Sequence, residues 1–236
     1  YEIVVSDWSS DVCSSDLDNL TLNTDGPLTF STPVAEGSTY DVTVLTQPDT
    51  QTCTVENGGG TMGDANITNV SVTCSTNAYT VGGSVAGLTG SVVLQNNGAD
   101  NLTLNTNGSL TFSTPVAEGS PYDVMVLTQP ENQTCTVNNG SGTMGGANVT
   151  NVSVTCSTNT YTVGGTVTGL VLGSAVFQNN GGDDLIMDGD GSFTFTTHLL
   201  NSASYSVTVF SEPQDQTCEV TNGAGTISGS NVTNVE

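Results

Sequence analysis

The chain has 236 residues, of which 23 are Asp or Glu and none is Lys or Arg, giving a formal charge of −23. Without a cation it cannot neutralise phosphates, which excludes nucleic acid as a partner. An anionic membrane surface would repel it, no apolar run is long enough for a transmembrane helix, and His198 alone could enter an internal salt bridge.

The chain opens on Tyr1-Glu2-Ile3-Val4-Val5, a short stretch with strand character. It continues as Asp7-Trp8-Ser9-Ser10-Asp11-Val12-Cys13-Ser14-Ser15-Asp16-Leu17. All of that second stretch resembles the conceptual translation of a sequencing-library adapter. Residues 1–17, Cys13 included, are therefore expected to be a non-native segment. The alternative is a divergent N-terminal strand.

From Asp18 onward the sequence repeats itself. Residues 18–77 align without gaps to 100–159, an offset of 82, with 50 of 60 positions identical. Tyr79-Thr80-Val81-Gly82-Gly83 returns as Tyr161-Thr162-Val163-Gly164-Gly165, after which one inserted residue raises the offset to 83. The expected organisation is a first repeat over 18–78, shortened at its N-terminal side, a complete second repeat over 79–160, and a third over 161–236, shortened at its C-terminal side.

The elements of the second repeat follow in order. Tyr79–Val85 and Ser91–Gln95 are predicted strands, the latter ended by Asn96-Asn97-Gly98. Leu102–Asn105 and Leu110–Phe112 flank Asn105-Thr106-Asn107-Gly108, a hairpin signal because Asn and Gly tolerate positive φ. Tyr122–Thr128 is stopped by Gln129-Pro130; Gln133–Val137 and Val149–Cys156 complete the set. Seven short strands at this spacing predict an all-β fold of antiparallel β-sandwich modules. Alternation puts Tyr122, Val124 and Val126 on one face, with Asp123 and Met125 opposite. The third repeat preserves it in Leu185, Met187, Phe193, Phe195, Tyr205, Val207 and Val209.

A module of this size buries only a modest core, and the cysteines bear on that. Cys53 and Cys74 are 21 residues apart, as are Cys135 and Cys156. By strand parity Cys135 goes with Val137, and Cys156 with Val152 and Val154, so both should point inward. Two disulfides, Cys53–Cys74 and Cys135–Cys156, are expected, leaving Cys218 unpaired by truncation. The competing reading is buried free thiols. No CxxC and no His cluster suggests a metal. Disulfides imply an oxidising compartment, the cell surface or medium ahead of the periplasm.

The segments Tyr79-Thr80-Val81-Gly82-Gly83, Leu94-Gln95-Asn96-Asn97-Gly98 and Gln133-Thr134-Cys135-Thr136-Val137-Asn138-Asn139-Gly140 resemble the immunoglobulin-like or transthyretin-like repeats of large secreted and surface proteins of Gram-negative bacteria. The resemblance covers about residues 18–236. It implies seven-stranded Ig-like sandwiches in tandem, used as stalks, spacers or adhesive regions.

Constellations for chemistry are sparse. His198 lies near a strand end with no nucleophile in a recognisable motif, and no Gly-x-Ser-x-Gly or His-Glu-x-x-His occurs. No catalytic residue is assigned and the chain is expected not to be an enzyme. Asp188-Gly189-Asp190-Gly191 has the opening spacing of a calcium loop but lacks its distal Glu. Asp188 and Asp190 are therefore weak calcium candidates, and no other cofactor is expected. Tyr79, Tyr122, Tyr161 and Tyr205 could form a carbohydrate platform, but fit core positions better. The leading expectation is a structural or adhesive spacer. A ligand- or carbohydrate-binding accessory module is the alternative, with neighbouring repeats, glycans or surface proteins as conceivable partners.

Overall fold

A computed structural model describes residues 2–6 and 18–236. In the first repeat the strands are β1 (Glu2–Ser6), β2 (Asp18–Thr21), β3 (Thr39–Thr46), β4 (Gln51–Glu56), β5 (Gly59–Thr61) and β6 (Ser71–Thr76). The second holds β7 (Ala78–Tyr79), β8 (Val81–Ala86), β9 (Val92–Asn96), β10 (Asp100–Leu104), β11 (Gly108–Thr111), β12 (Val116–Ala117), β13 (Pro121–Thr128), β14 (Gln133–Asn138), β15 (Ser141–Thr143) and β16 (Val149–Thr158). The third holds β17 (Thr160–Tyr161), β18 (Val163–Val167), β19 (Ala175–Asn179), β20 (Gly182–Met187), β21 (Gly191–Thr194), β22 (Leu199–Leu200), β23 (Ser204–Ser211), β24 (Ala224–Thr226) and β25 (Val232–Val235). Among the described residues the fold is all-β.

One four-strand sheet recurs with the same connectivity: β2-β1-β3-β5, β10-β9-β13-β15 and β20-β19-β23-β24. In the second repeat a further sheet, β11-β8-β16-β14, supplies the other half of one buried cluster. Leu94, Tyr122 and Val124 come from the first sheet, and Val81, Val85, Leu110, Cys135, Val152 and Val154 from the second. The predicted inward parity of β13 holds: Tyr122 and Val124 are buried while Asp123 and Met125 face solvent. Phe193, Phe195, Tyr205 and Val207 are buried in the third repeat, and Phe193 stacks on Phe177 with ring centroids 6.1 Å apart.

The structure departs from the sequence-based expectation in four places. The Asn105–Gly108 turn is not a hairpin, because β10 pairs with β9 in one sheet and β11 with β8 in the other, so these residues cross between sheets. The true hairpin is β9–β10, where Asn97 and Gly98 take φ of 50° and 69°, the paired positive values of a tight two-residue turn. Antiparallel pairing is not universal, since β8 and β16 run parallel, with Val152 opposite Gly83. The second repeat holds ten strands where seven were expected, because the β7–β12 pair and β15 are too short to carry a pattern. Residues 2–6 form β1 and pair with β2 and β3, the place that β9 takes between β10 and β13; residues 7–17 lie outside the described residues.

The β8 strand is inserted between two neighbours, and its glycines make that possible. A Cβ on Gly82 would sit 2.6 Å from the Leu110 carbonyl oxygen, and one on Gly83 would collide with the Val152 carbonyl. Gly164 and Gly165 meet the same obstacles at Phe193 and Val235. In the first repeat, β6 pairs only with β4 among the described residues, and residues 27–30 form no strand.

That difference is measurable at one side chain. Phe112 is 1% exposed, whereas its identical counterpart Phe30 is only half-buried. Phe112→Ala is expected to cost about 3–5 kcal/mol, and Phe30→Ala clearly less. Hydrogen exchange resolved by repeat, followed through a denaturant series, checks both.

Candidate functional site

Each disulfide joins residues that face each other directly in an antiparallel register. Cys53 pairs with Cys74 across β4 and β6, and Cys135 with Cys156 across β14 and β16. Cys53, Cys135 and Cys156 are buried, so their sulfurs belong to the core. Two such bonds point to a non-reducing environment. No helix among the described residues is long and apolar enough to cross a membrane.

Sequence reasoning missed a partner of these cysteines. The amide of Gln129 accepts from the Cys135 N–H at 2.7 Å and donates to the Cys135 carbonyl at 3.0 Å. Gln47 does the same for Cys53. The β14 strand is at the sheet edge, where backbone groups pointing away from the sheet lack a strand partner. A glutamine side chain supplies one donor and one acceptor there. The signal was legible as Gln-Pro followed by Gln-Thr-Cys in both copies.

In the third repeat Glu212 takes the glutamine's place and accepts from the Cys218 N–H at 2.8 Å. Cys218 is a free, half-buried thiol. Burial pushes its pKa up, and the Glu212 carboxylate beside it pushes it further. It is a poor nucleophile at neutral pH for that reason. A cavity of about 150 Å³ opens next to it, lined by Leu170, Phe177, Phe193, Gln216 and Val220.

The carboxylates have structural duties. Asp18 receives the Thr32 N–H at 2.7 Å and the Ser31 hydroxyl. Asp100 receives Thr114 and Ser113, and Asp183 receives Thr197 and Thr196, in the same arrangement. The Thr32 N–H holds Asp18 below the usual carboxylate range. For Asp183 burial acts upward, but the Thr196 hydroxyl and Thr197 N–H outweigh it and the net shift is downward. Asp190 accepts the Leu170 N–H at 2.7 Å, as Asn107 accepts that of Leu88. It is a loop clamp, and no cluster of three metal-ligating side chains forms among the described residues at Asp188 and Asp190 or elsewhere. His198 is exposed, 3.4 Å from the Thr160 hydroxyl.

The tyrosines pack rather than form a platform. Tyr122 and Tyr205 are buried, each facing a glycine across the sheet, Gly142 and Gly225, as Tyr40 faces Gly60. A Cβ on those glycines would lie within 2.8 Å of the tyrosine hydroxyl oxygen. The Tyr–Gly pairing therefore needs a residue without a side chain.

Two outcomes are expected. Replacing Cys135 and Cys156 together by Ser should cost the second repeat roughly 3 kcal/mol on the chain-entropy estimate, read as a lower denaturation midpoint with the first repeat unchanged. For Asp18 and Asp183, whose folded pKa lies below the unfolded value of about 3.9, the stabilisation is full above that pH and is lost as pH falls through the folded pKa. A carboxyl carbon NMR titration should place both midpoints below an ordinary Asp, and Asp183→Asn should remove the coupled movement of the Thr197 amide.

No protein-family model matches the chain, and no curated protein matches it. A solved structure described as the Bacillus anthracis TIE protein is similar at 12% sequence identity, with a TM-score of 0.43, over 98% of this chain and 50% of that one. The chain thus spans half the length of that protein, and the likeness carries no inference about function.

Proposed function

We propose that this region is a non-catalytic spacer or adhesive stalk of a bacterial extracellular or cell-surface protein, made of Ig-like sandwich modules in tandem. The observation that carries the reading is the form of the junctions. One residue, Asn77, separates β6 from β7, and one, Asn159, separates β16 from β17. Asn77 donates its backbone N–H to the Thr50 carbonyl, accepts the Thr52 hydroxyl on its side chain at 2.7 Å, and donates to Glu118 of the next repeat at 3.2 Å. Asn159 is bound in the same way by Asn132 and Thr134, while Asn201 of the third repeat reaches back to Asn132 at 2.6 Å. A one-residue connection tied on both sides leaves little freedom between modules, which suits a part whose task is to hold distance. The near-identity of the first two copies supports the reading, since duplication lengthens a rod without new chemistry.

One observation favours the alternative of a binding module. Leu45, Leu127 and Phe210 occupy equivalent outward positions at register shifts of β3, β13 and β23, and each is exposed, Phe210 to 64%. A recurring apolar side chain on the outer face could meet a glycan or protein partner.

Small-angle scattering on the full chain tests the spacer reading. An elongated particle is expected, with Asn77→Gly and Asn159→Gly broadening its distance distribution. A compact globule would sink the proposal.

A further inference from the structure

The β20 strand has diverged from β10 on one side only. The two align at an offset of 83, and the pleat sends residues 184, 186 and 188 to the outer face and 185 and 187 towards the core. The inner pair stays apolar: Leu102 and Leu104 become Leu185 and Met187, half-buried against the core of the third repeat. All three outer residues differ. Asn101, Thr103 and Asn105 become Asp184, Ile186 and, just past the strand end, Asp188. Each of these is exposed, Ile186 to 64%. A neutral polar row has become carboxylate, aliphatic, carboxylate. Gln178 donates to one Asp184 oxygen at 2.6 Å, which orients that carboxylate on the sheet face.

The strand lies at the edge of its sheet, with β19 as its one strand neighbour among the described residues. In the second repeat, which has a repeat on each side, β10 holds the same edge, so the open edge belongs to the module itself. Backbone groups on the outer side of such a strand have no ladder partner. A second copy of β20 laid antiparallel and centred on Ile186 would set Asp184 against Asp188, and like charges directly opposite destabilise a sheet. No strand of this chain can offer Lys or Arg instead.

We infer that the β20 edge receives a basic strand, an extended segment of a partner protein with the pattern basic-apolar-apolar-apolar-basic. Backbone pairing along the edge supplies attraction, as in other strand additions. Lys or Arg at the two ends stands beside Asp184 and Asp188, and the central aliphatic side chain covers Ile186, because directly opposed residues on one face touch. The two residues between extend the inner face over Leu185 and Met187 and are apolar for that reason. The carboxylates that refuse this chain's own strands thus select a partner of opposite charge.

The peptide Thr-Lys-Val-Val-Val-Lys-Thr has this pattern in either direction. Labelled and titrated into the full chain at low ionic strength, where exposed charge pairs are least screened, it should bind saturably, with hydrogen-exchange protection appearing at residues 184–187. The chain carrying Asp184→Asn, Ile186→Thr and Asp188→Asn together has the outer residues with which β10 folds. It should bind at least about tenfold more weakly, a difference of about 1.4 kcal/mol or more. Only two of the 23 acidic groups are removed, so diffuse attraction of a basic peptide would hardly change. The peptide with Glu in place of both Lys should not bind the native chain. Lack of saturable binding, equal binding by the two chains, equal binding of the two peptides, or protection centred elsewhere would each overturn the inference.

Discussion

The close parallel approach of β8 to β16 is the constraint on which the second repeat depends. The strand is held between two neighbours that leave no room for a Cβ on either glycine. Seating it there puts Val81 and Val85 into the centre of the cluster and closes the second sheet. The glycines carry an entropic cost, since glycine loses more freedom on folding than any other residue. That cost is offset by two almost completely buried valines and by ladder bonds on both sides. In the first repeat no such strand occurs among the described residues, and there Leu28, Phe30, Tyr40 and Val70 are only half-buried.

A core of this size needs reinforcement, and the composition narrows the means. Without Lys or Arg, only His198 could supply a side-chain cation to an ion pair. Neutral amides and hydroxyls tie loops to strands instead. Buried Gln133 accepts the Thr89 N–H and donates to the Gly87 carbonyl, which pins the β8–β9 connection. The Asp–Thr clamps fix the turn that follows each outer strand. The bonds of buried Gln133 contribute about 1 kcal/mol each, and being uncharged they resist the salt that would screen a surface ion pair. The disulfides add a larger increment at the sheet edge, where the ladder is weakest.

Much of this was legible beforehand, for a physical reason. Strand parity depends on nothing but spacing two, so Tyr122, Val124, Phe193 and Val207 could be placed inward from the sequence. The paired spacing of the cysteines was equally plain. What escaped was nonlocal. Asn105-Thr106-Asn107-Gly108 has the composition of a hairpin turn, but composition does not say which sheet the following strand will join. The parallel β8–β16 pair links residues about 70 positions apart, and only the Gly-Gly doublet hinted at it. The glutamine clamp on Cys135 could have been noticed as a recurring pair, yet nothing in one-dimensional spacing says that an amide will sit beside a cysteine's backbone. Asp188 and Asp190 read as weak ligand candidates because a turn and a calcium loop use the same residues, and spacing alone did not foretell that Asp190 would accept the Leu170 N–H.

The position of the disulfide near the junction has a mechanical consequence. Cys156 lies three residues before Asn159, through which tension would pass to the next repeat. If a repeat were pulled open by its ends, the covalent path would run from Cys135 to Cys156 across the sulfurs and skip the 21-residue span between them. At about 3.4 Å per extended residue, that removes roughly 70 Å of contour from a repeat that carries the bond, as the first and second do. The bond thus limits how far a stretched copy can lengthen, and keeps β14 and the end of β16 together as a knot from which the copy can refold when the load is released.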